Sequence, residues 1–214
     1  VTMRLHGYWR STTSYRVRLA LALKGIAYEQ VTHDLRTGAQ RDDAYRALNP
    51  QGLVPSLETD DGVLVQSPAI LEWLEERFPD PALLPSDPAD RAAVRGMAAT
   101  IGCDIHPINN LRILDHLRTD VHAEPAQVSA WIARWIAEGF AALEIAIVRH
   151  GAGFAFGDRP TLADCYLVPQ VYSAERFGVD LSAYPALMAA AGALRALPAA
   201  AAAHPDVQPD ADRP

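Results

Sequence analysis

Apolar and polar residues follow two patterns along this chain. Short strand-like runs alternate with short helical ones up to about residue 78, and helical spacing alone prevails from about residue 89 to 203. Residues 3–8 read as a strand and Ser14 to Lys24 as a helix. Gly25 stands where a helix end takes a left-handed residue. Tyr28 to His33 reads as a second strand, and Asp42 to Leu48 as a short helix. Ser56-Leu57-Glu58 and Val63-Leu64-Val65 flank Asp60-Asp61-Gly62, which signals a hairpin. Ser67 is a natural N-cap with Pro68 at the first helical position, opening a helix to about Phe78. The order β-α-β-α-β-β-α predicts an α/β domain over residues 1–80, with a small mixed sheet of four strands.

Prolines at 79, 81, 85 and 88 interrupt the periodicity, so 81–88 reads as a linker. The composition then turns Ala-rich. Ala89 to about Leu117 predicts one long helix bent near Pro107, and Gln127 to Arg149 another. Thr161-Leu162-Ala163-Asp164 opens a third as a capping box with Asp in place of Glu. Tyr184 to Leu197 is a fourth. The polar end, from Pro205 through Asp210 and Asp212 to Pro214, is expected to be loose. Residues 89–214 are thus expected to form an all-helical second domain.

Half the residues are apolar, yet no unbroken apolar run is long enough to cross a bilayer. The stretch Val1-Thr2-Met3-Arg4-Leu5 lacks the apolar segment behind a basic cluster that marks secretion. A net charge of −7 disfavours nucleic acid as a partner, since such binding rests on phosphate neutralisation. Local arginines still suit a small anion. Cys103 and Cys165 form neither a disulfide framework nor a metal-ligand spacing. A cytoplasmic protein without metal or membrane is the plain expectation.

The chemistry concentrates in a few stretches. Arg10-Ser11-Thr12-Thr13-Ser14-Tyr15-Arg16 places hydroxyls and arginines where a strand gives way to a helix. Hydroxyls at that place cap helices; the same partial positive charge and free N–H groups also favour a thiolate over a thiol. Asn49-Pro50-Gln51-Gly52-Leu53-Val54-Pro55 ends in a Val-Pro bond just before a strand. A cis bond there would turn the Val54 N–H and C=O outward, to pair with an extended peptide as a sheet edge does. Gln66-Ser67 offers a side-chain amide beside a helix start, which suits the free amino acid end of such a peptide; capping alone also accounts for Ser67. His106, Asn109 and Asn110 surround Pro107, with His106 and Asn110 four apart on one helix face, either as a buried network or as a polar wall. Asp164 is explained by its capping box alone.

These residues together resemble the zeta class of the glutathione transferase superfamily, the maleylacetoacetate and maleylpyruvate isomerases. Trp9-Arg10-Ser11-Thr12-Thr13-Ser14-Tyr15-Arg16-Val17-Arg18 is similar to the class signature. The likeness continues through Ala47-Leu48-Asn49-Pro50, Gln66-Ser67-Pro68-Ala69-Ile70, His106-Pro107-Ile108-Asn109-Asn110 and Asp164-Cys165-Tyr166-Leu167-Val168-Pro169-Gln170. It implies a thioredoxin-like first domain joined to an all-helical second one, and a homodimer. It also implies glutathione as cofactor, a small dicarboxylate as substrate, and cis–trans isomerisation through addition of the glutathione sulfur.

By the same resemblance Ser11 attends the sulfur, with Thr12 the rival hydroxyl. Thr13, in place of the usual Cys, joins the cofactor set without offering a thiol. Val54 is assigned to the cysteinyl backbone, Gln66 and Ser67 to the γ-glutamyl end, and His106 and Asn110 to the glycyl end, with Gln40 also within the cofactor set. Arg10, Arg112 and Arg176 fall on segments that converge between the domains of that fold, where forked cations suit a diacid; Arg10 is counted with the catalytic hydroxyls too. The alternatives are a general glutathione transferase that conjugates electrophiles, and a non-catalytic binding module on the same fold.

Overall fold

The computed structural model describes residues 3–212. Val1 and Thr2, part of the start read for secretion, and Arg213 and Pro214, part of the tail expected to be loose, lie outside the described residues. The chain divides into two compact units. One runs up to Leu83 and takes in the residues from Ala196 on; the other is Leu84–Arg195.

In the first unit, β1 (Met3–Gly7) leads into α1 (Thr12–Leu23), β2 (Tyr28–Thr32), α2 (Asp43–Leu48), β3 (Ser56–Thr59), β4 (Gly62–Val65) and α3 (Ser67–Arg77). The strands form one mixed sheet of order β2-β1-β3-β4. β1 runs parallel to β2 and antiparallel to β3, and β3–β4 is the expected hairpin. α1 ends in a Schellman motif: Gly25, at φ 65°, donates to Ala22, and Ile26 donates to Leu21 at 2.9 Å. The helix buries Tyr15, Val17, Leu19, Ala20 and Leu21. Lys24, just past its end, spends all three ammonium protons, on Glu75 and on the carbonyls of Phe78 and Pro81, at 2.7–2.9 Å. Glu75 accepts the Leu83 N–H in turn, which fastens the segment after α3 to α1.

The second unit contains α4 (Pro88–Ala99), a π-helical turn (Thr100–Ile105), α5 (Leu111–Thr119), α6 (Pro125–His150), α7 (Leu162–Arg176) and α8 (Pro185–Arg195). Ile132, Ile136, Phe140, Leu143 and Ile147 form the buried stripe of α6. Gly139 admits Ile105 so closely that an added Cβ would lie 2.3 Å from its side chain. Glu144 of α6 caps α8 from outside, accepting the N–H groups of Ala186 and Leu187 at 2.9 and 2.7 Å.

At the start of α7 the capping box is present. The buried Asp164 carboxylate accepts from Thr161 N–H, Thr161 Oγ1 and Ala155 N–H at 2.8–2.9 Å. Burial pushes its pKa up to about 6 against those three donors.

Three expectations are corrected. The long helix from Ala89 does not bend at Pro107; it breaks, because Pro107 has no N–H to continue the ladder and the chain turns before restarting at Leu111. The helix from Tyr184 to Leu197 stops at Arg195, and α9 (Pro198–Ala203) begins anew at Pro198. Among the described residues, 205–212 are neither loose nor part of the helical unit, and α9 before them packs on α1. Asp210 accepts the Trp9 N–H at 2.9 Å, and Arg36 binds both oxygens of Asp212. Among the described residues no helix is long and apolar enough to cross a membrane.

Candidate active site

β1 ends at Gly7, and four residues separate it from the start of α1 at Thr12. Ser11 N–H closes the turn onto the Tyr8 carbonyl at 3.0 Å. Ser11 is the N-cap: its backbone is extended, and its Oγ accepts the Ser14 N–H at 3.2 Å. That hydroxyl lies 2.9 Å from Thr13 Oγ1, and Thr13 donates to the Val54 carbonyl at 3.0 Å. A hydroxyl has one proton to give. With Thr13's on Val54, Ser11's goes to Thr13, so a directed chain runs from the Ser14 N–H through both hydroxyls to Val54. The first turn of α1 holds no acidic residue to offset the helix dipole. Ser11 and Thr13 are half-buried, whereas Thr12 is only 7% exposed and Ser14 wholly buried.

The Val54–Pro55 bond is cis, the isomer considered from the sequence. The preceding carbonyl, Leu53, accepts from Tyr45 Oη and Asn49 Nδ2, both at 2.7 Å, which pins the segment to α2. Gly52, at φ 60°, lets a neighbouring turn approach: an added Cβ would sit 3.0 Å from the Gln40 carbonyl. Gln40 lies in that turn, a short 3-10 helix (Ala39–Arg41). It is 6% exposed, and its Oε1 is buried with no partner among the described residues. His33 steadies the turn by donating to the Ala39 carbonyl; its pKa is lowered by burial and by the adjacent His6.

α3 corrects the expected cap. Gln66, not Ser67, holds the cap position, with no side-chain capping bond, and Ser67 is the first helical residue. Gln66 adopts φ 70° and ψ 117°, a conformation costing a non-glycine residue about 1–3 kcal/mol. Its amide donates to Gln51 Oε1 at 2.5 Å. Ser67 Oγ accepts from the buried Arg16 at 3.4 Å, which ties the start of α3 to α1. Arg10 is half-buried, its guanidinium 5.3 Å from the Trp9 ring centre. Next to it the Tyr8 phenol has its pKa raised by burial, with Arg10 and Arg36 pulling the other way.

In the second unit His106, Asn109 and Asn110 occupy the turn between the π-helical segment and α5. His106 N–H reaches back to Ile101 at 2.9 Å. Asn110 is extended and caps α5, accepting the Arg112 N–H at 3.2 Å. His106 and Asn110 therefore do not share a helix face, which corrects the sequence expectation. Both polar atoms of Asn109 are buried and have no partner among the described residues. Trp131 Nε1 donates to Ile108 at 3.2 Å and holds the turn on α6. Arg112 is exposed in the first turn of α5. Arg176 is exposed at the end of α7, with its guanidinium 4.6 Å from the Phe177 ring centre.

Sequence reasoning missed Gln51, which holds the Gln66 amide, and the pair Arg18 and Asp210, which hold the Trp9 peptide. Gln51 stands within the Asn49–Pro55 run and was within reach of it. Asp210 lies 201 residues from its partner, beyond any local pattern.

Residues 5–82 match the family model for the glutathione S-transferase N-terminal domain, and 129–205 that for the C-terminal domain. The chain is 55% identical over 211 residues to the maleylacetoacetate isomerase of Pseudomonas aeruginosa, covering 97% of this chain and 98% of that one. It is 53% identical over 210 residues to the maleylpyruvate isomerase of a Ralstonia species, covering 97% and 99%. Among solved structures, the holo form of a maleylpyruvate isomerase, a bacterial zeta-class glutathione S-transferase, aligns with a TM-score of 0.96 at 52% identity over 98% of this chain and all of that one. The maleylacetoacetate isomerase of Anaeromyxobacter dehalogenans aligns with TM-scores of 0.90, at 51% identity with glutathione bound and at 50% with dicarboxyethyl glutathione and citrate bound. Each covers 99% of this chain and 98% of that one. With the mixed sheet, the cis Val54–Pro55 bond and the hydroxyl-capped α1 in place, the chain belongs to the glutathione S-transferase family, in its zeta class of maleylacetoacetate and maleylpyruvate isomerases.

Proposed function

We propose that this chain is a glutathione-dependent isomerase that converts the cis double bond of a maleyl diacid, maleylacetoacetate or maleylpyruvate, to the trans, fumaryl form. The observation that carries this is the hydroxyl chain from Ser11 through Thr13 to Val54 at a helix start without an acid. The residues present fit glutathione. Gln40 has an unpartnered buried acceptor, Val54 offers peptide groups beside the cis bond, and α3 opens at a strained Gln66 followed by Ser67. Bound glutathione supplies a thiolate that adds reversibly to the activated cis bond, which then rotates as a single bond.

The chain's own residues do the rest. The Ser11 hydroxyl turns from Thr13 to donate to the sulfur, and the α1 dipole favours its anionic form. Thr12 is the weaker candidate because its side chain is buried. Thr13 and Val54 hold the cysteinyl segment, Gln66 and Ser67 the γ-glutamyl end, and His106 and Asn110 the glycyl end. Arg10, Arg112 and Arg176 take the carboxylates and steady charge developing on the diacid. No proton leaves the diacid skeleton for good, so no strong protein base is required. The setting is cytoplasmic and the working form a homodimer, both on the family resemblance.

The test is an assay with each maleyl acid, with and without glutathione. We expect turnover only with glutathione, and glutathione recovered unchanged. Turnover that persists without glutathione overturns the mechanism. Accumulation of a stable conjugate in place of the fumaryl acid gives the general-transferase reading instead.

A further inference from the structure

The loop that carries Ser11 is held by the far end of the chain. Trp9 lies two residues before Ser11, and both of its backbone polar groups are tied. Its N–H donates to Asp210 Oδ2 at 2.9 Å, and its carbonyl accepts from Arg18 Nη2 at 2.8 Å. Arg18 is 1% exposed; its Nη1 reaches the Tyr8 carbonyl at 3.4 Å, and its Nε donates to the Ala203 carbonyl at 3.0 Å, on the last residue of α9. One guanidinium therefore joins the β1–α1 loop to the C-terminal helix. The other oxygen of Asp210 accepts from Gln30 of β2 at 2.5 Å. Gln208, which is buried, bonds the carbonyls of Ala202 and His204 and so fixes the turn leading to Asp210.

We propose that Asp210 and Arg18 are positioning residues for the glutathione sulfur site. They set the Trp9 peptide, and through the Tyr8–Ser11 turn the direction in which the Ser11 hydroxyl points. This rests on the role proposed above for Ser11. The loop between β1 and α1 has no ladder of its own, so its place depends on external anchors. Those anchors are a carboxylate on one side and a planar, always-charged fork on the other. Asp210 acts here as an acceptor rather than as a charge. Asparagine keeps that acceptor, and the Gln30 amide turns over to meet the new –NH2.

The experiment compares Asp210→Ala, Asp210→Asn and Ser11→Ala in the full-length chain. Three readouts are taken: the ultraviolet titration of bound glutathione thiolate, kcat against KM for the maleyl acid, and hydrogen exchange at the Trp9 amide. In Asp210→Ala we expect the Trp9 amide to lose protection and the thiolate to titrate at higher pH. We also expect kcat to fall about tenfold, the scale of a small misplacement of a catalytic group, with KM for the acid little changed. Asp210→Asn should restore all three readouts.

Asp210→Ala titrating and turning over as the unaltered protein does, while Ser11→Ala is impaired, overturns the proposal. Equal impairment of Asp210→Asn and Asp210→Ala overturns it too, since charge or folding would then be the cause. Should Ser11→Ala itself leave the thiolate titration unmoved, the assignment of Ser11 fails, and exchange at Trp9 still reports whether Asp210 anchors the loop.

Discussion

α1 and α7 begin alike and end up doing different things. Each opens with a hydroxyl residue in extended backbone whose side chain serves as a cap. At α7 the set is closed. Asp164 in the first turn supplies the negative charge that the helix start attracts, and its oxygens are filled by Thr161 and Ala155. Nothing is left over for a ligand. At α1 the first turn holds no acid, the capping hydroxyl is half-buried, and it donates to Thr13, which donates in turn to the Val54 carbonyl. On the function proposed above, the positive end of α1 takes the glutathione thiolate as its counter-charge. A polar cluster that is complete within the protein reads as structure; one that lacks its counter-charge reads as a binding site.

The contrast breaks most violently at Asp164. Replacing it with alanine leaves three buried donors without an acceptor, and the cost should be about 3 kcal/mol or more. Urea denaturation measures it, and the glutathione titration of the protein that remains folded should not move. Ser11→Ala should do the reverse. The lost bond to a charged sulfur, about 1.5–3 kcal/mol, lowers the rate roughly ten- to hundredfold. The lost cap costs about 1 kcal/mol of stability. If Thr12→Ala does this and Ser11→Ala does not, the hydroxyls are wrongly assigned.

The arginines sharpen the comparison on the substrate side. Arg10→Ala and Arg112→Ala should each raise the apparent constant for the diacid about tenfold. Glutathione affinity should stay level, and the effect should shrink with added salt. Equal weakening of both ligands would make these side chains part of the fold. The smallest effect belongs to Gln66→Gly. Relief of its positive φ should raise stability by about 1 kcal/mol, while loss of the amide weakens glutathione binding severalfold. A stability loss in thermal melts would mean the strain has been misread.

Much of this was legible from local signals. The Asp60–Gly62 hairpin, the left-handed Gly25 and the Thr161–Asp164 box each announce themselves within a few residues, and the Val54–Pro55 pair marks where a cis bond is possible. At Pro107 the spacing predicts a bend where the chain breaks, because helical periodicity continues on both sides of a turn that the missing N–H forces. Polarity alone marks residues 205–212 as a loose segment. Its order comes from Trp9, Gln30 and Arg36, far off in sequence. Ser67 looks like a cap by residue type, but the chain enters α3 through Gln66 at positive φ, which shifts the helix start by one residue. Buried Lys24, clamped by Glu75, carried no pattern at all.

One substitution puts the central contrast to direct trial. Ser11→Asp gives α1 the self-contained negative cap that α7 possesses, and aspartate is as good an N-cap as serine. The variant should fold with unchanged stability. Its bound glutathione thiol should titrate at least about one pH unit higher than in the unaltered protein, because a like charge beside the sulfur and a lost donor both disfavour the thiolate. A thiol in Ser11→Asp that ionises at the same pH as in the unaltered protein would contradict the claim that the start of α1 is left open for the sulfur anion.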